Sequence, residues 1–151
     1  MNDQSADVIA ARFTQASTEA ANRAEATALL IRCGFRVYRP EADIDGEDLV
    51  LRRPAGDLVG VQLKPRLLVE WRRYGGRGLW MLFPSASYAP DVPRTWFLVP
   101  HDDLFAWVKA RHAHTPKWAD HWSYPSLGRD LRGFLEPYGV RPPADPEVTG
   151  G

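Results

Sequence analysis

Apolar residues return along this chain with two different periods. From Ala6 to Cys33 they recur at three- and four-residue steps, at Ile9, Phe13, Ala16, Ala20, Ala24, Ala28 and Ile31, the spacing of one helix face. Ser17 and Thr18 divide the stretch into two predicted helices, and the polar residues 1–5 are expected to fray. Gly34 supplies the stop, because a helix C-terminus commonly needs a positive φ. Beyond it the period becomes two. Phe35-Arg36-Val37-Tyr38-Arg39 alternates apolar and basic positions and reads as a strand ended by Pro40. Two β-rich runs follow, 48–51 and 58–64, joined by Arg53-Pro54-Ala55-Gly56-Asp57, residue types that set turn dihedrals. They predict an antiparallel hairpin.

The later chain alternates short apolar runs with Pro and Gly punctuation. Strands are predicted at 67–71, 79–83 and 95–99, with a turn at 74–78 and a Pro/Ser loop at 84–94. A helix at 103–112, capped by His101 or Asp102, turns Leu104, Phe105 and Val108 inward. Residues 113–125 read as loop. A short helix from Ser126 to Glu136 buries Leu127, Leu131, Phe134 and Leu135, and Pro137 ends it. The tail after Val140 is expected to be disordered. The fold class is α/β of the α+β kind: an N-terminal helix, a central mixed or antiparallel sheet of about five strands, most of them antiparallel, and flanking C-terminal helices. Residues 1–140 form one domain.

The hairpin carries polar groups that packing alone does not call for. Gln62 and Lys64 share one strand face, while Val61 and Leu63 take the other. Folding back about Ala55 and Gly56 brings Asp48 opposite the segment 62–64, and a slip of one residue would turn it to the other face. A carboxylate, an amide and an ammonium then meet at the hairpin's end. Asp43 and Asp45 lie just ahead.

An acid, a short gap and then [acid or Gln]-x-Lys across a hairpin resembles the PD-(D/E)XK nuclease superfamily, the restriction-endonuclease-like fold. In that family a helix bearing a Glu precedes the hairpin, and Glu25 ahead of Gly34 matches it. The resemblance covers roughly residues 19–66 and, more weakly, 95–112. Gln62 stands where most members have Glu or Asp, and Pro65 follows the Lys where small or hydroxyl residues are usual. The resemblance implies a Mg²⁺- or Mn²⁺-dependent endonuclease acting on DNA. Asp48, Gln62 and Glu25 would be the metal-binding residues, the ion weakly held because Gln62 is neutral. Lys64 would orient the attacking water or hold the scissile phosphate. A catalytically inactive member of the fold that binds nucleic acid or a protein is the alternative. A third reading has no nuclease relation: Lys64 and Gln62 then end a solvent-facing edge strand, and the aspartates are turn residues.

Composition narrows the setting. The 151 residues carry zero formal net charge, so any nucleic-acid surface must be a local patch. One is present: Arg66, Arg72, Arg73 and Arg77, with Trp71 and Tyr74 interleaved, suit phosphate contacts and base stacking. A solvated hairpin of ordinary surface charge is the plain alternative. Cys33 is the single cysteine; it is expected on the buried side of the first helix, in a reducing cytoplasm. No apolar run spans a membrane and no signal peptide is read. His112, His114 and His121 lack the spacing and the Cys partners of a zinc site. Trp118, Trp122 and Tyr124 are expected to pack over a sheet edge. So short a chain would take specificity from a homodimer or a partner protein.

Overall fold

The structure, a computed structural model, describes residues 3–42 and 47–142, and the side chains from residue 15 onward. Asp43, Asp45 and the tail from 143 lie outside the described residues.

The first helix, α1 (Asp3–Arg32), is continuous through Ser17 and Thr18. No Gly or Pro interrupts it, and its many alanines favour helix at every turn. Those same alanines made the buried face ambiguous. Ala20, Ala24, Ala28 and Ile31 are exposed, and the helix instead buries Asn22, Ala26 and Leu30, spaced four apart. It ends in a Schellman motif: the Phe35 N–H bonds to the Leu30 carbonyl and the Gly34 N–H to that of Ile31. Gly34 takes φ +90° to close it.

A five-stranded sheet follows in the order β1 (Arg36–Tyr38), β2 (Leu49–Arg52), β3 (Leu58–Leu63), β5 (Trp80–Pro84) and β6 (Trp96–Pro100). Neighbours are antiparallel except β3 and β5, which run parallel. The sheet is therefore mixed, with three of its four pairings antiparallel, in line with the expected mixed or antiparallel sheet of about five strands. Residues 64–79 make the crossover, long enough to return a strand in the same direction. Its β4 (Leu68–Glu70) does not extend the hairpin. It pairs with β7 (His121–Ser123) as a separate two-stranded sheet. Trp71, expected in that strand, begins α2 (Trp71–Tyr74), a single turn. The β7 partner falls in the stretch expected as loop.

Helix α1 covers one sheet face, over Leu49, Leu51, Val61, Leu82, Trp96 and Leu98. The other face, with Met81, Phe83, Phe97 and Val99, packs against α3 (His101–His112) and α4 (Arg129–Leu135). Strands β5 and β6 are apolar on both faces because both are covered. Helix α4 starts three residues later than Ser126 and runs into a 3₁₀ turn, Glu136–Tyr138, that carries Pro137 near its start. Cys33 is half-buried just beyond α1, where burial raises its thiol pKa. Trp118, Trp122 and Tyr124 pack on the α3 side of the core. His112 stacks on Trp122 at 4.2 Å. No helix among the described residues is long and apolar enough to cross a membrane.

His101 ties the crossover to α3. Its ring is fully buried. The Glu70 backbone N–H donates to Nε2 at 3.1 Å, so Nδ1 carries the proton and donates to Asp102 Oδ1 at 2.9 Å. Asp102 in turn accepts the Gly76 N–H at 3.0 Å. Burial pushes the imidazole pKa below its ordinary value, outweighing the opposite pull of Asp102 and Glu70. An unfolded His titrates near about 6.5. Below that pH the unfolded chain binds a proton that the folded chain resists, so stability falls as pH drops. Urea midpoints measured from about pH 7 to about pH 5 should decline, by at most about 1.4 kcal/mol per pH unit from this group. His112, also shifted down by burial, acts in the same direction. His101→Gln should flatten the His101 share of the slope; an unchanged slope would refute it.

Candidate active site

The hairpin turn fixes what faces what. Arg53 and Asp57 close it through backbone (2.8 Å) and a two-pronged ion pair, Nε at 2.8 Å and Nη2 at 2.5 Å. Gly56 sits inside the turn at φ +106°. From there the register runs Arg52 to Leu58 and Leu49 to Val61, which sets Asp48 against Gln62. The Asp48 N–H donates to the Val61 carbonyl at 2.7 Å. Val61 thus faces both Asp48 and Leu49, two residues against one, as in a bulge that re-aims a side chain.

Asp48 Oδ2 accepts two hydrogen bonds, from Gln62 Nε2 at 2.8 Å and from the Leu63 N–H at 2.9 Å. Gln62 is 7% exposed, and the carboxylate satisfies its buried amide. Lys64 is pinned through its backbone, whose N–H donates to the Leu82 carbonyl at 2.9 Å. Its ammonium stands 5.6 Å from the centre of the Tyr74 ring, within cation–π range. Among the described residues Lys64 makes no ion pair.

Asp48, Leu63 and Lys64 border a cavity of about 440 Å³ whose far wall is α1. The helix contributes Asn22, Arg23 and Thr27 there, with Glu19 one turn earlier, and Arg39 reaches it from the end of β1. Glu25 does not line this cavity. It accepts hydrogen bonds from Trp96 Nε1 at 2.9 Å and from Arg94, with which it forms an ion pair. The helix position facing the hairpin end is held by Asn22, which is 4% exposed. Its Oδ1 also accepts from Arg94, at 2.7 Å. The described residues contain no group of three His, Cys, Asp or Glu side chains placed to hold a metal ion.

The basic crossover is arranged differently from the sequence expectation. Tyr74 is 1% exposed, so it offers no face to a base. Its ring supports Lys64 on the inside, and Arg73 also lies over it at 5.3 Å. Arg73 pairs loosely with Glu70 at 3.8 Å. Arg66, Arg72 and Arg77 are exposed, but Arg77 borders a separate cavity with Glu47 and Gly60. None of the four arginines lines the Asp48 cavity. Sequence reasoning missed Asn22, Arg23, Thr27 and Arg39. The i, i+4 spacing of Asn22, Ala26 and Leu30 was the signal available for the helix face.

Comparison with known protein families, with curated proteins and with solved structures finds no match for this chain.

Proposed function

We infer that this chain is a metal-dependent DNA endonuclease of the PD-(D/E)XK kind, hydrolysing phosphodiester bonds at the Asp48 cavity. One observation carries the reading. Asp48 and Gln62 are bonded across the end of a hairpin, and Lys64 borders the same open cavity. The N-terminal helix, the five-stranded mixed sheet and the C-terminal helices support it.

Of the three residues the resemblance implies as ligands, only Asp48 borders the cavity, so a hard cation there would be held loosely, by one carboxylate and water. Asp48 would offer a carboxylate oxygen of the type Mg²⁺ or Mn²⁺ accepts, with water and substrate phosphate filling the other positions. Gln62 is buried, does not border the cavity and turns Nε2 toward Asp48, so its amide would have to rotate and reach the cavity to add Oε1. Glu25, occupied by Arg94 and Trp96, belongs to the framework beside the site. When bound, a divalent cation there supplies water activation and charge neutralisation. The protein's own groups do the rest. Asp48 is fixed by the Leu63 N–H, and Lys64, held over Tyr74, places a positive charge where a scissile phosphate or its attacking water sits.

Titration of Mn²⁺ into the protein by calorimetry tests the cation site. Wild type should bind weakly, Asp48→Asn should lose binding, and Gln62→Glu should tighten it by roughly tenfold, because affinity follows the charge count of the ligands. Equal behaviour of all three would contradict the assignment. The inactive binding-module reading is favoured by one feature, the amide bonded to Asp48; it predicts no Asp48-dependent cation site.

A further inference from the structure

We propose that Arg23 and Arg39, facing Lys64 across the Asp48 cavity, form the clamp that holds the phosphate backbone of the DNA strand. The inference rests on the nuclease reading of that cavity and moves substrate binding from the 66–77 crossover to helix α1.

Three cations border the cavity, from three separate elements: Arg23 on α1, Arg39 after β1 and Lys64 after β3. Arg23 and Arg39 are exposed. Among the described residues none of the three forms an ion pair. Arg53, Arg73, Arg94, Arg111 and Arg141 each stand beside a carboxylate, whereas Arg32, Arg36, Arg52 and Arg66, like Arg23 and Arg39, form no ion pair among the described residues; what sets Arg23 and Arg39 apart is the cavity they share with Lys64. Glu19, one turn before Arg23, and Asp48 are the acids bordering the cavity, so cations outnumber them. Guanidinium groups match phosphate geometry and bind it through paired N–H donors.

The test is fluorescence anisotropy with labelled single-stranded and duplex oligonucleotides, in chelator so that hydrolysis plays no part. Salt is varied from about 50 to about 200 mM. Each lost phosphate contact lowers the slope of log affinity against log salt by about 0.9 for duplex and about 0.7 for single strands. The Arg23→Gln, Arg39→Gln double variant should lower the slope by about two such contacts, and the Arg23→Lys, Arg39→Lys variant should restore most of it. The slope of Arg72→Gln, Arg73→Gln should stay near wild type. The reverse pattern, with the crossover arginines carrying the slope, overturns the clamp, as does a wild type that binds neither oligonucleotide. Cleavage assays read the nuclease reading separately: cleavage that persists with an unchanged slope in the Arg23, Arg39 variant leaves that reading standing while the clamp fails.

Discussion

Lys64→Ala should lower DNA cleavage by about 10²–10⁴-fold, the range for a positioned group acting on a reacting centre. The loss should fall on turnover. The side chain is half-buried and makes no ion pair among the described residues. Its removal forfeits the Tyr74 ring's attraction for the ammonium, roughly 0.5–1 kcal/mol for a partly exposed cation–π pair. The fold should therefore survive, and circular dichroism with a urea midpoint near wild type checks that. Asp48→Ala should be at least as severe in activity but should also unfold more easily. It strips the acceptor from a buried Gln62 amide and from the Leu63 N–H, and orphaned buried donors cost about 1–3 kcal/mol each. Asp48→Asn keeps the shape and one acceptor oxygen, so it is the cleaner variant for activity.

Glu25→Ala should destabilise the protein by about 3 kcal/mol, with a fall in melting temperature of about 6–12 °C for a chain this size. The cause is what it leaves behind. The Arg94 side chain is 1% exposed, and Glu25 is its carboxylate partner. Trp96, also 1% exposed, loses the acceptor for its ring N–H. Asn22, the Ala86 carbonyl and the Tyr88 and Trp96 rings remain around Arg94, but none carries a negative charge. Glu25→Gln should cost less, since it keeps an acceptor. Differential scanning calorimetry of the three proteins measures the effect. A normal melting temperature combined with lost cleavage would instead return Glu25 to the chemistry.

These two variants show where the sequence was readable. Local signals held within the hairpin. Pro54, Gly56 and the ion pair of Arg53 with Asp57 are close in sequence, and they set the register that brings Asp48 against Gln62. The stop at Gly34 was equally local. What escaped was decided by partners far along the chain. Glu25 is claimed by Arg94, 69 residues later, from a loop with no pattern to announce it. Strand β4 needs β7, three residues long and hidden among His and Trp, and the parallel direction of β5 depends on the 64–79 crossover from β3 that contains β4. Tyr74 looked like a stacking residue beside arginines, yet the burial that seats it under Lys64 comes from His101 and the α3 core. The inner face of α1 was blurred because alanine fits every side of a helix.

The proposed function places phosphodiester cleavage at the Asp48 cavity. The most direct measurement is cleavage of a panel of single-stranded, duplex and branched DNA in Mg²⁺, in Mn²⁺ and in chelator, with wild type beside Asp48→Asn and Lys64→Ala. Cation-dependent cleavage by wild type alone is the expected result. Cleavage that survives both substitutions, or folded wild type that cleaves nothing with either cation, would contradict it.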